Sequence, residues 1–209
     1  MVGNASYGKA FGKLKNPVRD AEAIVASLEN HGVAEKDIIK VINADSFFMR
    51  EGFAKFVKLC KPGDLAILFF AGHGCSFNKH QCLMAIPLSK ERRVLKNGGQ
   101  LQTILESSLQ VEKMLASLRL NGVTQHLVLL DCCQKFEKVD LRAGGPEDEL
   151  NDVPHTPINV APGPGTTIGY ATAPRYNTSD GKMADNLQGP NGCGNDASDD
   201  APYTSYCKC

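Results

Sequence analysis

The fold can be inferred from one stretch of the sequence, Leu65-Ala66-Ile67-Leu68-Phe69-Phe70-Ala71-Gly72-His73-Gly74. Its six leading apolar residues follow the turn signal Lys61-Pro62-Gly63-Asp64, which predicts a strand buried on both faces of a parallel sheet. The run ends at His73, between two glycines that let the backbone turn sharply and leave the imidazole at the carboxyl end of the strand. Ligands bind at that edge in open α/β sheets. A structural histidine that only closes a core strand fits the same pattern.

A second apolar run ends in an acid and two cysteines, His126-Leu127-Val128-Leu129-Leu130-Asp131-Cys132-Cys133. If the two strands are parallel neighbours, His73 and Cys133 leave the sheet at the same edge. An imidazole beside a thiol forms a reactive pair, because the imidazole takes the proton and the thiolate attacks a carbonyl. The two residues are 60 positions apart, which leaves room for a crossover helix. This pair is the candidate catalytic centre.

Composition limits the function classes. The chain has 209 residues, of which 42% are apolar, and this fits one domain with its own hydrophobic core. The formal net charge of zero indicates neither a nucleic-acid partner nor a membrane surface. No apolar run approaches the ~20 residues that span a bilayer, and no secretory signal is visible. Eight cysteines without such a signal indicate reduced thiols, and we expect a cytoplasmic or nuclear protein.

Strand and helix patterns alternate along the chain, which predicts an α/β sandwich. Asn16 and Pro17 are expected to cap and begin the first helix, and Ala44-Asp45-Ser46 to cap the second. The remaining expectations are a third helix over 101–120, strands over 37–42, 126–131 and 166–173, and a hairpin over 75–88. Residues 134–165, rich in Pro, Gly and charge, are expected to form a long loop.

Five stretches, taken in order, resemble the caspase-like cysteine peptidases, and within that clan they are more similar to paracaspases and metacaspases than to caspases. They are Gly3-Asn4-Ala5-Ser6-Tyr7, Leu14-Lys15-Asn16-Pro17-Val18-Arg19-Asp20, residues 65–74, residues 129–133, and Tyr170-Ala171-Thr172-Ala173-Pro174. The resemblance spans residues 2 to about 181. It implies the caspase-like fold, a three-layer sandwich with a mostly parallel central sheet.

The resemblance also implies the catalytic roles of a cysteine endopeptidase. His73 would be the general base and Cys133 the nucleophile, because the second residue after the aspartate is catalytic in the family's Asp-x-Cys pattern. Cys132 would then be a buried neighbour. The backbone N–H groups of Gly74 and Cys133 would form the oxyanion hole, where fixed donors meet developing negative charge.

Three acids bear on the expected specificity. Asp20 and Asp131 match the acidic positions of the primary specificity pocket of paracaspases and metacaspases, and Asp180 is a candidate third acid. Carboxylates favour a cationic side chain, and arginine pairs with them bidentately. The resemblance therefore implies protein or peptide substrates cleaved after Arg or Lys. The alternatives are a helix-side salt bridge for Asp20 and a turn-capping role for Asp180.

The resemblance divides the chain, residues 1–209, into parts of one peptidase domain. Residues 1–133 correspond to a large subunit, 134–165 to a linker and 166–209 to a partial small subunit, with the C-terminal strand of the family expected to be lacking. That strand commonly forms a dimer interface, so a homodimer is expected of a longer parent protein. Three basic residues in the linker fit the expected specificity and are candidate sites of self-processing: Lys135, Lys138 and Arg142.

The chain departs from the metacaspase pattern after Cys133, where Gln134-Lys135-Phe136 replaces His-Ser-Gly. We therefore expect no cofactor, and calcium activation is not supported. A zinc site built from Cys193, Cys207 and Cys209 with His80 or Cys82 is disfavoured, because no C-x-x-C pair exists. A redox role for the vicinal pair Cys132-Cys133 is also disfavoured.

Two other function classes compete with the peptidase. A catalytically silent caspase-like scaffold would share the fold, but inactive relatives commonly lose the histidine or the cysteine, and both are present here. A receiver or nucleotide-binding α/β domain would need a phosphate loop or an acidic pocket at the first strand. Neither feature is visible in the sequence.

Overall fold

Strands and helices alternate through the part of the chain that the computed structural model describes, residues 1–7, 12–77, 80–87, 108–132 and 163–171. In chain order the elements are β1 (Val2–Gly3), α1 (Pro17–Asn30), a 3-10 turn (Glu35–Asp37), β2 (Val41–Ile42), α2 (Ser46–Leu59), β3 (Leu65–Ala71), β4 (Gly74–Phe77), β5 (His80–Met84), β6 (Ser108–Gln110), α3 (Val111–Leu120), β7 (Gln125–Asp131) and β8 (Thr166–Tyr170). The α/β class predicted from the sequence is confirmed.

The central sheet has five strands in the order β2-β1-β3-β7-β8, and every neighbouring pair is parallel. The two apolar runs are adjacent strands, as predicted, in a register that extends from Leu65↔Gln125 to Ala71↔Asp131. Because β1 lies between β2 and β3, the chain winds first to one side of β1 and then to the other. This reversal creates a topological switch point, with a crevice at the carboxyl ends of β1 and β3.

Helices cover both faces of this sheet, which gives the three-layer sandwich. Side chains alternate between the two faces of a strand. On one face Ala21 of α1 packs with Phe69 and Ala71 of β3. On the other face Phe70 and Val128 join the core formed with α2 and α3. No helix in the described part of the chain is both long and apolar enough to cross a bilayer.

A second, antiparallel sheet in the order β4-β5-β6 begins directly after β3. Its first pairing joins Gly74 to Leu83, so the predicted hairpin is present. Leu83 and Leu109 of this small sheet enter the same core cluster as Phe70. The small sheet is thereby held at the carboxyl edge of the central sheet, beside His73.

Three local predictions were wrong in detail. The helix predicted over 101–120 does not include Ser108–Gln110, which hydrogen-bonds to β5 as a strand, and the helix that follows begins at Val111; residues 101–107 of that prediction lie outside the described residues. The strand predicted over 37–42 is reduced to Val41–Ile42, since β1 offers it only two partners. The side chain of Asn16 makes no capping hydrogen bond, although Pro17 does begin α1.

The central strand is also less enclosed than its apolar run predicted. Leu65 is 57% exposed, and Ile67 and Leu68 are half-buried. Leu65 stands at the amino end of the strand, and α1 packs over Phe69 and Ala71 at the other end. The enclosed part of the strand is therefore its carboxyl half, which leads into the candidate site.

Asn4 joins three elements just beyond the end of β1. Its backbone N–H continues the ladder to the carbonyl of Ala71 at 2.9 Å. Its side-chain oxygen accepts from the N–H of Ala44 at 2.9 Å, and its Nδ2 donates to the carbonyls of Ala44 at 3.3 Å and Met84 at 3.2 Å. The side chain is fully buried, so these bonds have no competition from water.

Replacing Asn4 by alanine is expected to lower the free energy of unfolding by about 2–4 kcal/mol, because the buried N–H of Ala44 loses its acceptor and the carbonyls of Ala44 and Met84 each lose one of their donors. Chemical denaturation measures the change. Asn30→Ala is the matched control: Asn30 is exposed at the end of α1 and should change stability by less than about 0.5 kcal/mol. Equal effects of the two substitutions would contradict this role for Asn4.

Candidate active site

The candidate site lies at the switch point, where the segments after β1 and β3 meet. Tyr7 follows β1 and is fully buried, whereas His73 follows β3 and is half-buried. Their ring centroids are 4.5 Å apart, and the ring planes are tilted by 57°. The topology therefore supplies one wall of a crevice from each strand end, as expected for an open α/β sheet.

The imidazole of His73 also faces the segment before α1. Its Nε2 lies 3.4 Å from the carbonyl oxygen of Gly12. A carbonyl can only accept a hydrogen bond, so of the two neutral tautomers this contact favours the one with its proton on Nε2. Nδ1 then carries the lone pair that a general base needs.

The backbone of His73 is held by a tyrosine hydroxyl. The N–H of His73 donates to Oη of Tyr7 at 2.9 Å, and that hydroxyl donates to the carbonyl of Met84 at 2.9 Å. In return, the N–H of Met84 donates to the carbonyl of His73 at 3.0 Å. The histidine is thus attached at once to the segment after β1 and to β5.

Gly72 makes room for this arrangement. A Cβ at this position would lie 2.5 Å from the Tyr7 hydroxyl oxygen, and the φ of +154° is one that residues with side chains rarely adopt. The N–H of Gly72 donates to the carbonyl of Asp131 at 3.2 Å, which fastens the end of β3 to the end of β7. The sequence-predicted role of this glycine, a sharp turn before His73, is matched by its geometry.

Gly74 begins the outer strand of the small sheet, in the order β4-β5-β6. Backbone groups alternate in direction along an antiparallel strand. Because the carbonyl of His73 accepts from Met84 on β5, the N–H of the next residue, Gly74, is directed away from β5. That orientation is compatible with the predicted role of Gly74 as an oxyanion-hole donor.

The first of the two vicinal cysteines is a core residue. Cys132 is 1% exposed, belongs to the main core cluster, and lies 3.8 Å from Nε2 of the buried Gln81. Cys133, the predicted nucleophile, lies outside the described residues. In the sequence it stands two residues beyond Asp131, as His73 stands two residues beyond Ala71, and Ala71 and Asp131 are register partners.

Asp20 and Asp131 belong to the same face and the same edge of the sheet. Asp20 is in the first turn of α1, whose Pro17 carbonyl lies over Gly3 at the end of β1. Asp131 ends β7 and alternates with Leu130 and Cys132, which point to the opposite core. Both acids are half-buried. Asp180, the third predicted acid, lies outside the described residues.

Two further thiols belong to the same buried cluster as Tyr7. Cys75 and Cys82 are directly opposite each other on β4 and β5, and both are buried in a cluster with Tyr7 and Met84. The hydrogen bond to Cys82, together with burial, raises the pKa of the Cys75 thiol well above its ordinary value. Within the described residues no three His, Cys, Asp or Glu side chains are grouped as a metal ion would require.

A cavity of about 510 Å³ elsewhere in the molecule has no part in this chemistry. Its lining is largely apolar and includes Phe53, Leu68 and Val128, from the central sheet and the helix layer. His73, Asp20 and Asp131 do not contribute to its lining. The candidate site lies instead at the carboxyl edge of the sheet, around His73.

Three buried polar residues near this edge were not predicted from the sequence to have a role there. Asn4 and Tyr7 appear within a matched stretch, and Gln81 lies in the predicted hairpin. The sequence feature that could have identified them is a polar side chain within a few residues of the end of a buried strand, because such a group must find a buried hydrogen-bond partner. Which partner it finds depends on tertiary contacts between β1, β3 and β5.

Comparison with protein families matches the caspase domain to residues 1–189 of the chain. The match includes all the described strands and helices and every residue predicted for the site. No curated protein sequence matches the chain significantly.

The burial of the thiols predicts their reactivity. In the native protein, iodoacetamide should alkylate the half-buried Cys60 at least about tenfold faster than the buried Cys75, Cys82 and Cys132. Timed quenching followed by peptide mapping measures the four rates. In concentrated guanidinium chloride the four thiols should react alike, which controls for intrinsic reactivity. Native alkylation of Cys132 as fast as that of Cys60 would contradict its position in the core.

Proposed function

The chain belongs to the caspase-domain family of cysteine peptidases, and on that premise we propose that it hydrolyses peptide bonds after Arg or Lys through a dyad of His73 and Cys133. The observation that carries the proposal is the register of β3 and β7, which ends at Ala71↔Asp131. Neighbouring strands are about 4.8 Å apart. His73 and Cys133 each follow these last partners by two positions, so their backbones would be close enough for the thiol to contact the imidazole.

The proposed chemistry assigns each step to a group at this edge. Nδ1 of His73 takes the thiol proton of Cys133, and the thiolate attacks the scissile carbonyl. The N–H groups of Gly74 and Cys133 stabilise the oxyanion. His73 then returns the proton to the leaving amine, and water hydrolyses the thioester to release the acid and regenerate the thiol. The burial of Cys132 supports the choice of Cys133 as nucleophile.

The specificity proposal rests on Asp20 and Asp131. Both acids lie on the α1 side of the sheet at its carboxyl edge, next to the strand ends that carry the dyad. Two carboxylates in one crevice attract a guanidinium or an ammonium group. Asp180 is proposed to join them from the segment beyond β8.

The finer family assignment is also a proposal. Preference for basic residues is what the resemblance to paracaspases and metacaspases implies, and the residues after Cys133 favour a calcium-independent enzyme. We further propose protein substrates and homodimerisation. The alternative is a silent caspase-like scaffold, which a folded sample without turnover in the presence or absence of calcium would favour.

Cys133→Ala should reduce hydrolysis of a fluorogenic peptide ending in Arg by about 10⁴-fold or more, because the nucleophile is lost. Cys132→Ala is the matched control, one residue away, and should retain activity within about threefold, with reduced stability from the lost core sulfur. Initial rates and thermal unfolding separate the two effects. Loss of activity only in Cys132→Ala would show that the nucleophile is Cys132 and not Cys133.

The acidic pocket predicts discrimination between arginine and its neutral isostere citrulline. Asp20→Asn should lower the ratio of kcat/KM for the Arg peptide to that for the citrulline peptide by about 10–100-fold, since a hydrogen bond between charged groups is lost. Glu22→Gln, an exposed acid on the same helix, should leave the ratio unchanged. An unchanged ratio in Asp20→Asn would show that Asp20 does not bind the arginine side chain of the substrate.

A further inference from the structure

One rung is missing from the ladder between the start of β4 and the end of β5. Continuing the register from Gly74↔Leu83 pairs His73 with Met84. The N–H of Met84 donates to the carbonyl of His73, and an ordinary antiparallel pair would return a bond from the N–H of His73 to the carbonyl of Met84. The Tyr7 hydroxyl occupies that second place, accepting from His73 and donating to Met84, with both distances 2.9 Å.

This insertion displaces the histidine. A direct bond would bring the nitrogen of His73 and the oxygen of Met84 to about 2.9 Å. Two hydrogen bonds through a bent hydroxyl hold the same atoms roughly 4.5–5 Å apart. The nitrogen of His73 is therefore kept about 2 Å farther from the Met84 carbonyl than direct pairing would place it, whereas the carbonyl of His73 remains paired with β5.

The hydroxyl is suited to hold that separation permanently. Tyr7 is fully buried, and burial raises its pKa far above the ordinary value, so the phenol keeps its proton and remains both donor and acceptor. The carbonyl of Met84 also accepts from Nδ2 of Asn4 at 3.2 Å, which leaves it little freedom to move. The glycine at position 72 provides the space for the oxygen.

The ring of Tyr7 restricts the imidazole from the other side. With centroids 4.5 Å apart, the phenol forms a wall against one face of His73. The same residue thus sets the position of the histidine backbone through its hydroxyl and the tilt of the side chain through its ring.

We propose that Tyr7 is a positioning residue, which holds His73 away from β5 and directs its imidazole towards the end of β7. The role rests on the proposed function, because it gives His73 its place beside Cys133. Without the hydroxyl, the N–H of His73 and the carbonyl of Met84 can pair directly, and the imidazole retreats towards β5. A misplacement of this size in a catalytic base costs about 100-fold in rate.

Tyr7→Phe tests the proposal, because it removes the oxygen and keeps the ring. We expect kcat for the Arg peptide to fall by about 10–100-fold while KM changes less than about twofold, since the acidic pocket is untouched. Val123→Ala is the control for general loosening: Val123 is fully buried in a core cluster with Ala66 and Leu118. It should lower thermal stability without lowering kcat. An unchanged kcat in Tyr7→Phe, or equal losses in both variants, would overturn the proposal.

Two measurements on His73 itself keep this test independent of peptidase activity. In spectra of ¹⁵N-labelled protein, the amide and imidazole signals of His73 should shift in Tyr7→Phe and stay in place in Val123→Ala. If the wild-type chain has no activity, the proposed function fails, and these signals alone decide the positioning role. If Tyr7→Phe does not fold, wild-type hydrogen exchange decides it: the His73 amide should exchange as slowly as those of β3. Exchange as fast as in the turn at Gly63 would overturn the proposal.

Discussion

The geometry of the candidate site depends on one buried phenolic oxygen, that of Tyr7. It lies 2.9 Å from the N–H of His73 and 2.9 Å from the carbonyl of Met84, and so joins the segment after β1 to β3 and β5. Because one neighbour donates and the other accepts, only a neutral hydroxyl satisfies both. A tyrosine hydroxyl is neutral at physiological pH, and burial raises the pKa of Tyr7 further. A carboxylate could not donate to Met84, and an ammonium could not accept from His73.

Asparagine side chains also hydrogen-bond backbone groups along the edge of the sheet. Parallel strands end in backbone groups that the ladder no longer pairs, and burial makes an unpaired group costly. Asn4 binds the backbone of Ala44, and Oδ1 of Asn43 accepts from the N–H groups of Ala5 and Ser6 at 2.8 and 3.0 Å. These bonds fix the loops after β1 and β2. The result is a crevice with a preorganised wall, as catalysis by fixed dipoles requires.

The placement of the strands could be predicted because it is determined by local patterns. The apolar runs of β3 and β7, each bounded by turn or polar residues, identified two neighbouring parallel strands and the edge at which His73 lies. The helical spacing before Val111 was misleading, because backbone pairing with β5 determines the structure of Ser108–Gln110. Such pairing between distant segments leaves no periodic signal in the sequence.

The polar contacts of the site could not be predicted for a similar reason. Tyr7 and Met84 are separated by 77 positions in the sequence, and Asn4 and Met84 by 80. Nothing in the local pattern around Tyr7 shows that its hydroxyl replaces a rung between two other strands. The strand-end patterns and the resemblance to caspase-like peptidases both pointed to the histidine and the cysteine as candidates, whereas the groups that hold the histidine became evident only in three dimensions.

The most direct test of the central claim, a dyad of His73 and Cys133 at this edge, is labelling by a peptidyl chloromethyl ketone that ends in arginine. Peptide mapping by mass spectrometry identifies the alkylated sulfur. The account predicts one adduct, on Cys133, that is lost in His73→Ala and forms more slowly when citrulline replaces arginine. An adduct on Cys132, or labelling of Cys133 that is unchanged in His73→Ala, would contradict the account.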